Sequence, residues 1–168
     1  MIMSRHNLEK MKSESRAGQS ASFLLAQVGA HAAARFAERL TGLGLGPAHA
    51  GTLRIIHSRP GISQQALSSV LGLVPSRLVV LIDELEERGL VERRNSSDDR
   101  RVYALHLTRK GGEAFEAIGK VARAHDDAIC SGLGAEERRT LASLLNRIAE
   151  EQGLTPGVHP GFSTLGRR

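Results

Sequence analysis

The chain of 168 residues carries 23 Lys and Arg against 18 Asp and Glu, a formal charge of +5; this is length enough for one compact domain with a core and a balance compatible with a polyanionic partner. One cysteine, Cys130, excludes an internal disulfide framework and a zinc site built on several thiolates. Aromatic residues make up 3% of the chain and Trp is absent, which disfavours single-stranded nucleic acid, a partner gripped by ring stacking, and leaves duplex ahead.

No stretch approaches the roughly 20 apolar residues of a membrane span. Residues 1–19 are polar and lack the apolar core of a signal peptide, so a cytoplasmic protein without a membrane partner is expected. They read as a flexible arm. A first helix is predicted from Ser20 to Leu40, with Leu25, Val28, Ala32, Phe36 and Leu40 on one face. The glycines 42, 44 and 46 that follow superficially resemble a nucleotide loop, but they come after a helix and no βαβ unit surrounds them, so they read as a connector. Pro47 suits the first turn of a helix ending near His57. Arg59, Pro60 and Gly61 break the chain, and Ser63 caps a helix from Gln64 to Leu71 whose Leu67, Val70 and Leu71 face inward. After Gly72, Leu73 and Val74 comes a helix from Pro75 to Arg88, and the spacing of Val74, Leu78, Leu81, Ile82 and Leu85 turns one face to a core. Two helices joined so closely have helix-turn-helix spacing.

Gly89 ends this helix. Leu90 and Val91 begin a strand, Arg93 to Arg101 is polar throughout, and Tyr103, Leu105 and Leu107 alternate as a half-buried returning strand. Helix, strand, charged tip and strand make a winged helix. Thr108 caps a long helix to Ser131 carrying Phe115, Ile118, Ala122 and Ile129, and a last helix from Ala135 to Gln152 bears Leu141, Leu144, Leu145 and Ile148. The winged lobe leaves these helices little to cover, so they are expected to bury their apolar faces against a second copy. The predicted fold is mainly α with a small β-wing: a winged helix-turn-helix lobe over 46–108, dimerisation helices over 20–45 and 109–152, and a loosely held tail over 153–168.

The run Leu81 to Val91, the tip Asp99, Arg100 and Arg101, then Leu107, Thr108 and Gly111, and the closing Leu133, Glu136, Glu137, Leu141, Leu144 and Leu145 together resemble the MarR (multiple antibiotic resistance regulator) family. The similarity spans roughly Phe23 to Ala149. It implies a homodimeric transcriptional regulator of duplex DNA, a repressor on a pseudo-palindromic operator released by a small ligand. It also implies that the helix from Pro75 enters the major groove and the wing the adjacent minor groove.

The residue chemistry agrees with that placement. Ser76 and Arg77 lie in the first turn of the reading helix, where Arg77 suits guanine O6 and N7, or a phosphate. Val79 and Val80 suit thymine methyl groups, and Ser63 and Gln64, which open the preceding helix, join the interface. The family pattern pairs Asp99 with Arg101 so that the arginine enters the minor groove; outside such a context this run is a charged turn. Arg93, Arg94 and Arg100 are assigned to phosphates. Val74 stands where the family commonly has a capping Ser, and Glu84 where it often has a basic residue.

By the same resemblance, effectors enter a cleft between dimerisation helices and winged lobe, where His31, Arg35, His49 and Arg54 would suit a small aromatic acid; each is otherwise an ordinary interface or surface side chain. His31, His49, His57, His106 and His125 form no tight ligand pair, so neither metal nor cofactor is expected. Cys130 reads as a small buried apolar residue. There is no nucleophile elbow or phosphate loop, and an enzyme is the least favoured class. The competing class is a winged-helix protein-interaction module, motivated by Glu84 and the uncapped helix.

Overall fold

The computed structural model describes residues 20–95 and 103–159. An alanine-rich stretch forms α1, Ala21–Leu40. The chain divides into two compact units, one ending at Arg35 and one beginning at Phe36. In the first, Phe23, Leu24, Leu25 and Val28 are exposed.

In the second unit a 3-10 turn, Thr41–Leu43, leads through Gly44 at φ 66 to α2, Pro47–Ser58. β1, Ile62–Ser63, runs straight into α3, Gln64–Leu71. The hydroxyl of Ser63 accepts the Ala66 N–H at 3.1 Å, the expected cap. Gly72 takes the left-handed conformation at φ 65, and α4, Pro75–Glu87, follows. The chain bends by 111° between α3 and α4, within the helix-turn-helix range. Ser68, a buried hydroxyl that periodicity does not single out, holds this turn by donating to the Leu73 carbonyl at 2.6 Å, while the Leu73 N–H donates to the Ser68 carbonyl at 3.1 Å.

β2, Val91–Asn95, and β3, Tyr103–Leu107, pair antiparallel with Val91 opposite Leu107 and Asn95 opposite Tyr103. β1 adds to the other edge of β3, giving the order β1-β3-β2, with Ile62 opposite Leu105. Two residues are too few to show a strand period, so β1 is not foreseen from the sequence. Leu40, Leu53, Ile56, Leu67, Leu71, Leu78, Ile82, Leu85, Val91 and Leu105 make one fully buried core under the sheet and helices. Each comes from the apolar stripe or alternation of its element.

α5, Arg109–Ile129, is fastened to the end of α4. The Thr108 hydroxyl accepts the Gly111 N–H at 2.9 Å and donates to the Gly89 carbonyl at 2.7 Å. Lys110 donates to the Arg88 carbonyl at 2.6 Å. Gly111 lies so close to the Leu90 carbonyl that a Cβ would collide with backbone, which accounts for glycine there. α6, Ala135–Glu151, buries no residue, and Leu141, Leu144, Leu145 and Ile148 stay exposed. Among the described residues no single helix is long and apolar enough to cross a membrane.

The tail, expected to be loosely held, is exposed over its described part, 153–159, apart from a half-buried Val158. Val158 packs against the core cluster, and Gly153, Leu154, Thr155, Val158 and His159 line an open concavity of about 210 Å³ with the end of α3. A hydrophobic residue in a Gly- and Pro-rich run has found an apolar seat on the lobe.

Candidate nucleic-acid interface

α4 buries Leu78, Leu81, Ile82 and Leu85 and turns Ser76, Arg77, Val79, Val80 and Glu84 outward. Val80 is 57% and Val79 44% exposed. Two β-branched apolar side chains thus face water on the helix that follows the tight turn. Arg77 is exposed and makes no ion pair among the described residues. Val74, expected on the buried face, is exposed instead and occupies the N-cap at φ −68, ψ 142 without a side-chain hydrogen bond; Pro75 has no N–H and the Arg77 and Leu78 N–H groups donate to the Val74 carbonyl at 3.0 and 3.2 Å, which leaves the Ser76 amide facing outward in the first turn. A free helix N-terminus carries partial positive charge toward whatever anion approaches. Ala48, His49, Leu73, Val74 and Arg77 line a concavity of about 630 Å³ beside this turn, with Glu84 at its far side.

The remaining expected contacts fare unequally. Ser63 is partly buried and spends its oxygen on the cap of α3. Gln64 is partly buried, and its amide nitrogen is enclosed without a hydrogen-bond partner among the described residues, so it is not presented to a duplex in this conformation. Arg93 is a correction. Expected on phosphate, its guanidinium instead lies between Asp83, at 2.5 Å, and Glu86, and its backbone N–H donates to Glu86 at 3.2 Å. Burial, the largest single influence, lowers the pKa of Arg93, but hydrogen bonding to Asp83 and the charges of Glu86 and Asp83 outweigh it and the net shift is upward. A raised arginine stays charged throughout the physiological range, and its contribution to stability is lost only as pH climbs past the ordinary arginine value. Val91 is buried and Arg93 lies two residues on, so the strand period turns both to the same face of β2; that was the available signal. Arg94 faces the other way, exposed, with its guanidinium on Glu92. Asp99, Arg100 and Arg101 lie outside the described residues.

Tyr103, expected on the half-buried face of its strand, is 52% exposed. It pairs with Asn95 at the wing end of the sheet, beyond the reach of the core that covers Leu105. The phenol is therefore a surface group beside the wing, which alternation alone does not reveal.

The four residues expected at an effector cleft are placed as follows. His31 and Arg35 are exposed in the first unit. His49 bonds Glu84, with Nε2 3.0 Å from the carboxylate. Arg54 is exposed, with its guanidinium so close to Gly157 that a Cβ there would collide with it. Two other histidines are engaged with rings: His57 stacks on Phe115 at 4.1 Å between centroids, and His125 meets Phe36 at 5.3 Å. Cys130 is half-exposed at the end of α5, with Sγ 3.9 Å from Asp126, rather than buried among apolar groups.

A tight helix-turn-helix, a three-stranded sheet whose outer hairpin forms the wing, and an outward α4 face carrying Arg77 and valines define a winged-helix protein. The MarR family model matches residues 43–102. A Thauera aromatica protein assigned as the transcriptional regulatory protein for the hcr operon is 36% identical over 113 residues, covering 67% of this chain and 68% of that protein. Among solved structures, the transcriptional repressor CouR bound to a 23-mer DNA duplex superposes with a TM-score of 0.69 at 27% identity, covering 89% of this chain and 99% of that one. A cysteine-to-serine variant of Escherichia coli MarR complexed with operator DNA gives a TM-score of 0.65 at 25% identity, over 76% and 91% of the two chains. The chain belongs to the MarR family of transcriptional regulators.

Proposed function

We propose that this chain is a homodimeric repressor that reads a pseudo-palindromic duplex operator with α4 and is released by a small molecule, an aromatic acid being the chemistry favoured. The observation that carries the reading is the outward face of α4: Ser76, Arg77 and Val80 stand exposed in and after a first turn without a side-chain cap, on a helix joined to α3 through the hydrogen-bonded Ser68–Leu73 turn. Two structural relatives with the same fold were solved in complex with DNA, which supports the same use here. Arg77 is assigned to guanine, Val80 to a thymine methyl, and Asp99 with Arg101 to the minor groove. Arg94 and Arg100 are assigned to phosphates and Ser63 to the rim. Arg93 is withdrawn from the contact set and becomes the fastener of β2 to α4. Dimerisation is supported by the exposed apolar stripes of α1 and α6. His31, Arg35 and the exposed Arg54 remain the effector candidates, with His49 reached only if its contact with Glu84 opens.

Selection from a randomised duplex library tests this directly. The expected outcome is enrichment of an inverted repeat whose half-site centres lie one helical turn, or a multiple of it, apart. Failure to enrich any duplex would overturn the reading and leave the protein-interaction module in its place.

A further inference from the structure

Glu84 is an awkward residue for a DNA-reading helix. It follows Val80 by four residues and Arg77 by seven, so the three share one stripe of α4. A carboxylate free to move on that stripe would approach phosphate. In the structure it is not free. Its Oε2 lies 3.0 Å from Nε2 of His49. The other ring nitrogen, Nδ1, accepts the Gly46 N–H at 3.0 Å and so carries no proton; the ring proton therefore sits on Nε2 and is donated to the carboxylate. The His49 side chain is only 14% exposed against 48% for Glu84, so the histidine is the fixed partner and the glutamate the one being held. Further along the same flank Arg88 donates to the Gly44 carbonyl at 2.5 Å. Two contacts thus pin this side of α4 to residues 44–49.

We infer that His49 is a positioning residue for duplex recognition: its Nε2–H holds the Glu84 carboxylate against α2, so that Ser76, Arg77 and Val80 meet the groove without a mobile negative charge beside the phosphates. The inference rests on the proposed reading of α4 as the DNA-reading helix. The same ring caps the start of α2 through Nδ1, and one side chain therefore couples the geometry of that turn to the charge pattern of α4.

His49→Asn separates the two roles, because an asparagine oxygen stands near the place of Nδ1 and keeps the Gly46 N–H satisfied, while nothing remains to reach Glu84. On the duplex selected by the wild-type chain, H49N is expected to bind about fivefold more weakly with a melting temperature lower by no more than roughly 2–4 °C. E84Q is expected to bind at least as tightly as wild type, and H49N/E84Q to return to wild-type affinity. Wild-type affinity in H49N would overturn the inference. So would a double variant as weak as H49N, which would make His49 a structural cap only, or an E84Q variant that loses affinity and base preference, which would make Glu84 itself a reader of cytosine. A wild-type chain that selects no duplex would fail earlier, on the reading of α4, and is told apart by that.

Discussion

Arg93 and Arg94 are neighbours in the sequence with the same charge and opposite surroundings. The pleat of β2 sends Arg93 onto Asp83 and Glu86 of α4 and Arg94 out to Glu92 and solvent. Arg93→Ala is therefore expected to cost about 1 kcal/mol, read as a melting temperature lower by roughly 2–4 °C, with the dependence of duplex affinity on salt unchanged. A salt slope shallower by about one would restore it as a phosphate contact. Arg77→Ala is expected to cost about 1–3 kcal/mol of binding and to relax preference at one base pair; weakening that is uniform across sequences would place Arg77 on phosphate. Arg101→Ala is expected to weaken operator binding without unfolding the dimer, checked by titration beside a thermal melt, and unchanged affinity would count against insertion of the wing.

At the scale of elements, α3 runs over the residues its signals predict, because Ser63, Gly72 and an apolar stripe at helical spacing all point the same way. α2, α4, α5 and α6 differ from expectation by one or two residues at an end. What the sequence does not disclose depends on partners distant in the chain. β1 exists because β3 offers it an edge, Ser68 matters because Leu73 returns to it, and Val158 finds the core from beyond α6. The capping defect at Val74 was legible, since a valine offers no acceptor. Val74→Ser at this extended N-cap is expected to raise stability by around 1 kcal/mol, measured by denaturant midpoint; no gain would mean that the first turn of α4 is already satisfied. Gly111→Ala is expected to destabilise by more than that, as the new methyl meets the Leu90 backbone and the α4–α5 joint must open.

At the scale of the molecule, two apolar stripes stay exposed among the described residues: Phe23, Leu24, Leu25 and Val28 on α1, and Leu141, Leu144, Leu145 and Ile148 on α6. Exposed stripes of that kind on two helices are better accounted for by a second copy than by solvent. Replacing both Leu144 and Leu145 by Asp is expected to convert a dimer to a monomer in light scattering at micromolar concentration, with duplex affinity falling as the second half-site contact is lost. A wild-type chain that is already monomeric would refute the arrangement. Effector chemistry is the least legible part of the sequence, because its candidates are single polar residues whose neighbours are fixed only by folding. His49 turned out to face Glu84, and Arg54 the tail.

Whether α4 reads duplex DNA is decided by a binding titration of the wild-type chain, on its selected duplex and on a shuffled duplex of equal composition, at several salt concentrations. The account predicts affinity that falls steeply with salt on both duplexes, together with a preference of about a thousandfold or more for the selected one. Equal affinity for the two at every salt concentration would contradict it.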